Sequence, residues 1–243
     1  LLTIPYLITT VGPSGFALIN VALAIVTYFV VLTDYGFNLM GTRLIALNKH
    51  RPSEPNRIFS TMLYAQLLLT LIAILLFALI VFAVPAYRQE ALFFAATFGI
   101  VLGSTLLPTW YFQGVEKFNQ LHLITLAYRG AYTLGIFLFV NEAEDLIKVP
   151  VLNSLTHLAG GLFGLVWIMQ KYQVRFTSWN WKEIVQFLRE GFNLFVSAVS
   201  VTSLQQMPII ILSFFASATV VGFYAFADKI LLLFRVVIQL FGS

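Results

Sequence analysis

Leu121-His122-Leu123-Ile124-Thr125-Leu126-Ala127-Tyr128-Arg129-Gly130-Ala131-Tyr132-Thr133-Leu134-Gly135-Ile136-Phe137-Leu138-Phe139-Val140 carries a single Lys, Arg, Asp or Glu side chain, Arg129, near its middle. A helix of about 20 residues rising 1.5 Å each spans roughly 30 Å, the thickness of a bilayer's hydrocarbon core. Similar runs fill the rest of the chain. The tail of a first helix lies at 1–10, and further spans lie near 16–34, 62–84, 91–112, 149–169, 192–215 and 222–242. With 60% of residues hydrophobic and only 10% charged, there is too little polar surface to cover a soluble domain of 243 residues. The expected fold is all-α, a polytopic membrane helix bundle of about eight spans, the first one partial.

Charge in the loops orients the bundle. Arg43, Lys49, Arg51 and Arg57 follow the second span, Lys117 the fourth, and Lys171, Arg175, Lys182 and Arg189 the sixth, while the opposite loops hold only Arg88 and Lys148. Nine cations against two make the first side cytoplasmic, with the truncated N-terminus on that side. These eleven, with Arg129, Lys229 and Arg235 inside spans, account for all fourteen basic residues, so the net charge of +4 needs no nucleic-acid partner. Zero cysteines exclude disulfides and thiol catalysis. Three scattered histidines and no cysteine leave no metal set, and no Gly-rich loop followed by Lys-Ser/Thr is present to hold a nucleotide cofactor.

The stretch 177–190 mixes Trp179, Trp181 and Phe187 with charges and has Asn180 three residues before Glu183, a pattern that predicts a capped helix on the membrane interface. It divides the chain into an N-terminal six-helix bundle over 1–170, a cytoplasmic linker helix over 171–191, and the first two helices of a second bundle over 192–243. Gly15-Phe16-Ala17 and Gly222-Phe223-Tyr224 open two spans 207 residues apart, each after a proline-bearing helix (Pro5, Pro208), as in an internal repeat. The chain opens on an apolar run without methionine and stops directly after another, so a piece truncated at both ends is expected.

Thr33-Asp34-Tyr35-Gly36-Phe37-Asn38-Leu39-Met40-Gly41-Thr42-Arg43 and Leu107-Pro108-Thr109-Trp110-Tyr111-Phe112-Gln113-Gly114-Val115-Glu116-Lys117-Phe118 resemble signature blocks of bacterial polysaccharide, or O-antigen-type, flippases. Val11-Gly12-Pro13-Ser14-Gly15-Phe16 and Gly222-Phe223-Tyr224-Ala225-Phe226-Ala227-Asp228-Lys229 fit the same pattern. The resemblance covers nearly the whole chain and extends to the wider multidrug/oligosaccharidyl-lipid/polysaccharide exporter superfamily. It implies two bundles of six helices around a central cavity in the bacterial inner membrane. It also implies movement of an undecaprenyl-pyrophosphate-linked oligosaccharide from the cytoplasmic to the periplasmic leaflet, with membrane lipid and polysaccharide-assembly proteins as partners. A drug or metabolite/cation antiporter of the same superfamily is the alternative. A membrane polymerase or ligase would want carboxylates or histidines at a membrane face, and Glu142, Glu144 and Asp145 form the only acidic cluster there.

Candidate site residues follow from charge at depth. Arg129, about 13 Å from the cytoplasmic end of its span, is too deep for easy snorkelling, leaving an anion-binding cation in a wet cavity or a structural partner to a buried acid. Arg can grip a diphosphate in bidentate fashion. In the last span Lys229 and Arg235 are candidates for substrate contact and Asp228 for ion coupling, or Asp228 and Lys229 neutralise neighbouring helices. His157 among Asn153, Ser154 and Thr156 could relay protons or serve packing, with Gly160 and Gly164 favouring close helix approach. Asp34 and Arg43, near the cytoplasmic end of the second span, are candidates for gating and substrate access or for interface anchoring. Trp110, Tyr111 and Phe112 read as an aromatic belt, and Pro108 as a kink.

Overall fold

The computed structural model describes residues 3–51 and 53–241, without the side chains of 232, 233 and 235–241. The helices are α1 (Thr3–Thr10), α2 (Gly12–Asp34), α3 (Phe37–Asn48), α4 (Glu54–Ala83), α5 (Pro85–Gln89), α6 (Ala91–Leu106), α7 (Thr109–Gly114), α8 (Phe118–Phe139), α9 (Lys148–Lys171), α10 (Trp181–Phe215) and α11 (Ala218–Phe241), with one 3-10 turn at Ala143–Ile147. Among the described residues six helical stretches are long and apolar enough to cross a membrane: Gly12–Asn48, Glu54–Ala83, Ala91–Gly114, Phe118–Phe139, Ala143–Lys171 and Trp181–Phe215. The all-α membrane bundle is therefore what the chain forms. In lipid, helices are the open-chain solution because each backbone N–H and C=O is satisfied within its own segment.

Pro13, Pro55 and Pro85 stand in the first turns of α2, α4 and α5, where no intrahelical N–H bond is lost. Leu107 and Pro108 break the fourth span into α6 and α7, so the expected kink is a full interruption. The segment 37–48, read from sequence as loop, is helical. Phe37, Gly41 and Ile45 recur every four residues and form its buried seam. Asn180 does stand at the N-cap of α10, but its side chain donates to Glu183 Oε1 (2.9 Å), and α10 runs unbroken from Trp181 into the seventh span.

Packing is closest where side chains are absent. α6 and α9 cross at Gly103 and Gly161, and a Cβ on Gly161 would collide with the Gly103 carbonyl. Gly160 instead faces the Tyr128 ring and Gly164 faces Leu107, so the expected small-residue face serves two neighbours rather than one. The two echoed openings also meet. Gly222 of α11 lies against the Pro13 carbonyl of α2, and Ser14 Oγ is 3.5 Å from Thr219 Oγ1.

Two apolar cores lie toward opposite ends of the spans. One gathers Phe29, Phe77 and Phe98, whose rings contact each other at 4.5 to 5.8 Å, and the other is built on Phe37, Phe59, Met62 and Trp110. Trp110, Tyr111 and Phe112 are 1, 2 and 0% exposed. The aromatic-belt expectation is thereby overturned: these rings pack on Phe59, Tyr172 and Trp167 inside the bundle. The exposed apolar surface is instead formed by other side chains, with Leu75, Leu79, Leu126, Phe139 and Phe163 among them.

Candidate functional site

Between the two cores lies a polar layer. In α4 the apolar cores stop at Leu69 and resume at Ala73, and in α6 and its continuation they stop at Val101 and resume at Leu107. A cavity of about 310 Å³ occupies this level, its polar wall provided by Asp34, Asn38, Gln66, Thr105 and His157, with Gly103 leaving room between them. Seven helices contribute, α2, α3, α4, α6, α7, α8 and α9, so no short stretch of sequence contains the site.

Each wall residue is held by local backbone geometry. Asp34 ends α2, after which Tyr35 (φ 49°) and Gly36 (φ 79°) turn the chain sharply into α3. A Cβ at Gly36 would be strained by that φ and crowded by Leu194 of α10. Tyr35 stacks on Phe195 at 4.6 Å, which ties the turn to α10. On α3 the Asn38 Oδ1 accepts from Thr109 Oγ1 (3.3 Å), and Thr42 Oγ1, which donates to Asn38 O at 2.6 Å, lies 3.0 Å from the Gln113 amide. Thr70 and Thr105 hydroxyls meet at 3.0 Å while bonding back to Gln66 O and Val101 O. The Gln66 side chain is 4% exposed, and its Oε1 is buried with no hydrogen-bond partner among the described residues.

His157 Nδ1 lies 2.9 Å from the Asn153 carbonyl. A carbonyl only accepts, so Nδ1 donates, and in the neutral tautomer this leaves Nε2 as an acceptor. The ring packs on Tyr128 with centroids 4.7 Å apart. The wall offers the Asp34 carboxyl, the Gln66 carbonyl and the His157 ring as acceptors beside the Asn38 amide and the hydroxyls of Ser104, Thr105 and Tyr128, and no Lys or Arg lines it. A chamber of this character, with one carboxyl and no Lys or Arg in its wall, suits a proton, a cation or ordered water.

The remaining candidates fall elsewhere. Arg129, one residue beyond the cavity-lining Tyr128, is exposed and makes no ion pair or hydrogen bond among the described residues. Arg43 is exposed on α3 and outside the cavity wall. Asp228 and Lys229 are half-buried on α11 and form no ion pair among the described residues, and the Arg235 side chain lies outside those described. The structure therefore joins Asp34 with His157 in one cavity wall, two residues the sequence kept apart, places Arg129 exposed on α8 next in sequence to the cavity-lining Tyr128, and leaves Arg43, Asp228 and Lys229 outside that wall. Gln66, Asn38 and Thr105 were missed. Their signal was present as an amide and hydroxyls interrupting apolar spans, which are expensive at bilayer depth unless they serve a polar interior.

Among the described residues no group of three His, Asp or Glu side chains could hold a metal ion. The sequence family described as "Polysaccharide biosynthesis protein" matches residues 1–243. Two curated relatives, each described as "Putative O-antigen transporter", are similar to the chain. The one from Escherichia coli (strain K12) is 27% identical over 230 residues, covering 95% of this chain and 55% of the relative. The one from Shigella dysenteriae is 25% identical over 229 residues, covering 94% and 57%. The chain thus spans about half the length of the curated relatives it matches. No solved structure matches.

Proposed function

We propose, from the premise that this chain belongs to the polysaccharide biosynthesis protein family, that it is the substrate-carrying N-terminal part of a multi-pass membrane transporter for O-antigen units. The substrate in this reading is an undecaprenyl-pyrophosphate-linked oligosaccharide moved from the cytoplasmic to the periplasmic leaflet of the bacterial inner membrane. The observation that carries it is an exposed Arg129, without an ion-pair partner among the described residues, next in sequence to Tyr128 in the wall of a polar chamber that holds Asp34 and His157. An anion contact and a cation-accepting chamber in one bundle suit a carrier of a diphosphate coupled to ion movement.

The roles divide by charge. Arg129 meets the diphosphate as it passes, with Lys229 and Arg235 as further cationic contacts from the second bundle. Asp34 and His157 take up and release the coupling proton or cation, in place of the separate gating and relay roles their sequence positions suggested. Asp228 remains a candidate for coupling from the other bundle, and Arg43 for substrate access at the loop side. Alternating access follows from rocking of the two bundles, whose repeated openings touch at Pro13 and Gly222. Headgroup and sugars travel through the polar interior while the polyprenyl tail stays in lipid.

The test is to follow lipid-linked oligosaccharide between leaflets in cells with the complete gene present or deleted. Accumulation on the cytoplasmic face in the deletion supports the reading, and an unchanged distribution rejects it. The chamber, with one carboxyl and no Lys or Arg in its wall, favours one competing reading, a drug or metabolite/cation antiporter. In that case organic cations would be exported against a proton or sodium gradient and the oligosaccharide would cross normally in the deletion strain.

A further inference from the structure

A second pocket, of about 260 Å³, lies at the loop end of the bundle near Ile45 and Tyr111, away from the polar chamber. Its wall combines Lys49 at the end of α3, His50 in the following turn, Pro55 at the start of α4, Lys117 after α7 and Tyr172 after α9. Lys49 Nζ is held 2.8 Å from Glu116 Oε1. The hydrogen bond from Lys49 keeps the Glu116 carboxyl below its ordinary range, so this counter-charge is ionised at neutral pH. Lys117 has no ion-pair partner among the described residues. The Tyr172 hydroxyl is buried without a partner among them, and burial raises its pKa, so it remains a neutral O–H donor. The pocket therefore has two lysines against one carboxylate, a Tyr172 hydroxyl without a partner among the described residues, and an apolar floor of Ile45 and Val115.

Its position matters as much as its charge. It lies on the side that the nine loop cations mark as cytoplasmic, where spans give way to loops, which is headgroup depth. Leu47 and Phe118, 67 and 47% exposed, lie within two residues of Lys49 and Lys117 in sequence and add exposed apolar surface near the pocket. Basic pockets between membrane helices on the cytoplasmic face take anionic lipid headgroups. We propose that this pocket holds the headgroup phosphate of an anionic phospholipid of the cytoplasmic leaflet. The lipid phosphate bridges the ends of α3, α7 and α9 and fastens the α3–α7 contact, which lies between the pocket and the polar chamber. The inference does not depend on which substrate the protein carries.

The experiment uses the full-length protein in phosphatidylcholine mixed micelles, titrated with phosphatidylglycerol and read by native mass spectrometry and thermal unfolding. Wild type retains one phosphatidylglycerol and melts at a higher temperature with it. The joint change Lys49→Gln with Lys117→Gln weakens retention about 30-fold, as expected for two lysines at a membrane surface. Lys49→Arg with Lys117→Arg retains the lipid and serves as the folded control. Lys171→Gln with Arg175→Gln, on the same side but outside the pocket, leaves retention unchanged, and Glu116→Gln strengthens it by freeing Lys49. Equal retention by the Lys→Gln protein overturns the proposal. So does an equal rise in melting temperature with inorganic phosphate alone, which would assign the pocket to a soluble anion.

Discussion

Replacing Arg129 by Ala separates three roles this residue could play. Arg129 lies eleven residues from Phe118 and ten from Phe139, the two ends of α8, and so sits about 15 Å from either end. Its guanidinium makes no ion pair or hydrogen bond among the described residues. Were it a structural partner to a buried acid, its loss would destabilise by about 3–5 kcal/mol. Were it simply facing lipid, its loss would stabilise insertion by about 2.5–3.5 kcal/mol on translocon scales. As an exposed cation in a polar path it changes stability by less than about 0.5 kcal/mol. Loss of a charge-assisted contact to phosphate costs about 1.5–3 kcal/mol, a fall in transport of roughly 10- to 150-fold. The assay pairs thermal unfolding of the purified full-length protein with the leaflet distribution of lipid-linked oligosaccharide. Arg129→Lys should recover part of the activity, because it restores charge but not the two-pronged grip. Full transport in the Ala protein, or a melting point displaced by several degrees in either direction with transport intact, refutes the assignment.

Three further outcomes follow from the geometry. Gln66→Leu removes a buried oxygen that has no partner among the described residues and should raise stability by about 1–3 kcal/mol while lowering transport; a melting point that falls would show the oxygen to be satisfied. Gly161→Val forces α9 away from the Gly103 carbonyl and should cost about 1–3 kcal/mol or more by overpacking, read as a lower melting temperature and reduced yield of inserted protein. Because the Glu116 carboxyl is depressed by Lys49, the support it gives the α3–α7 cap is complete above the ordinary value of 4.5 and is lost as pH falls through the lowered one. Thermal unfolding should therefore show a small loss of stability as pH falls below 4.5, and Glu116→Gln should remove that part of the pH dependence.

The helical spans were legible because bilayer thickness imposes a length on apolar runs, and the run around Arg129 shows it plainly. α3 was not, since Asp34, Arg43 and Lys49 suggested a loop, while the four-residue spacing of Phe37, Gly41 and Ile45 was too short a signal to outweigh them. Trp110, Tyr111 and Phe112 misled for a chemical reason: an amphipathic ring suits either a membrane interface or a packed interior, and only their neighbours Phe59 and Trp167 decide. Asp34 and His157 were each visible as costly polar residues. Their meeting was invisible because 123 positions separate them and the Gly103–Gly161 crossing that brings α6 and α9 together is a tertiary event.

The contact of Gly222 with the Pro13 carbonyl bears on how freely this sequence can drift. Residues around it that face lipid can exchange one aliphatic for another at little cost, but at 222 no smaller side chain exists to fall back on, and the opposing atom is main chain, which a compensating substitution cannot trim. The position is closed from both sides. Variation in the joint between α2 and α11 must therefore enter through the flanking contacts, such as Ser14 and Thr219, leaving the crossing distance itself unchanged.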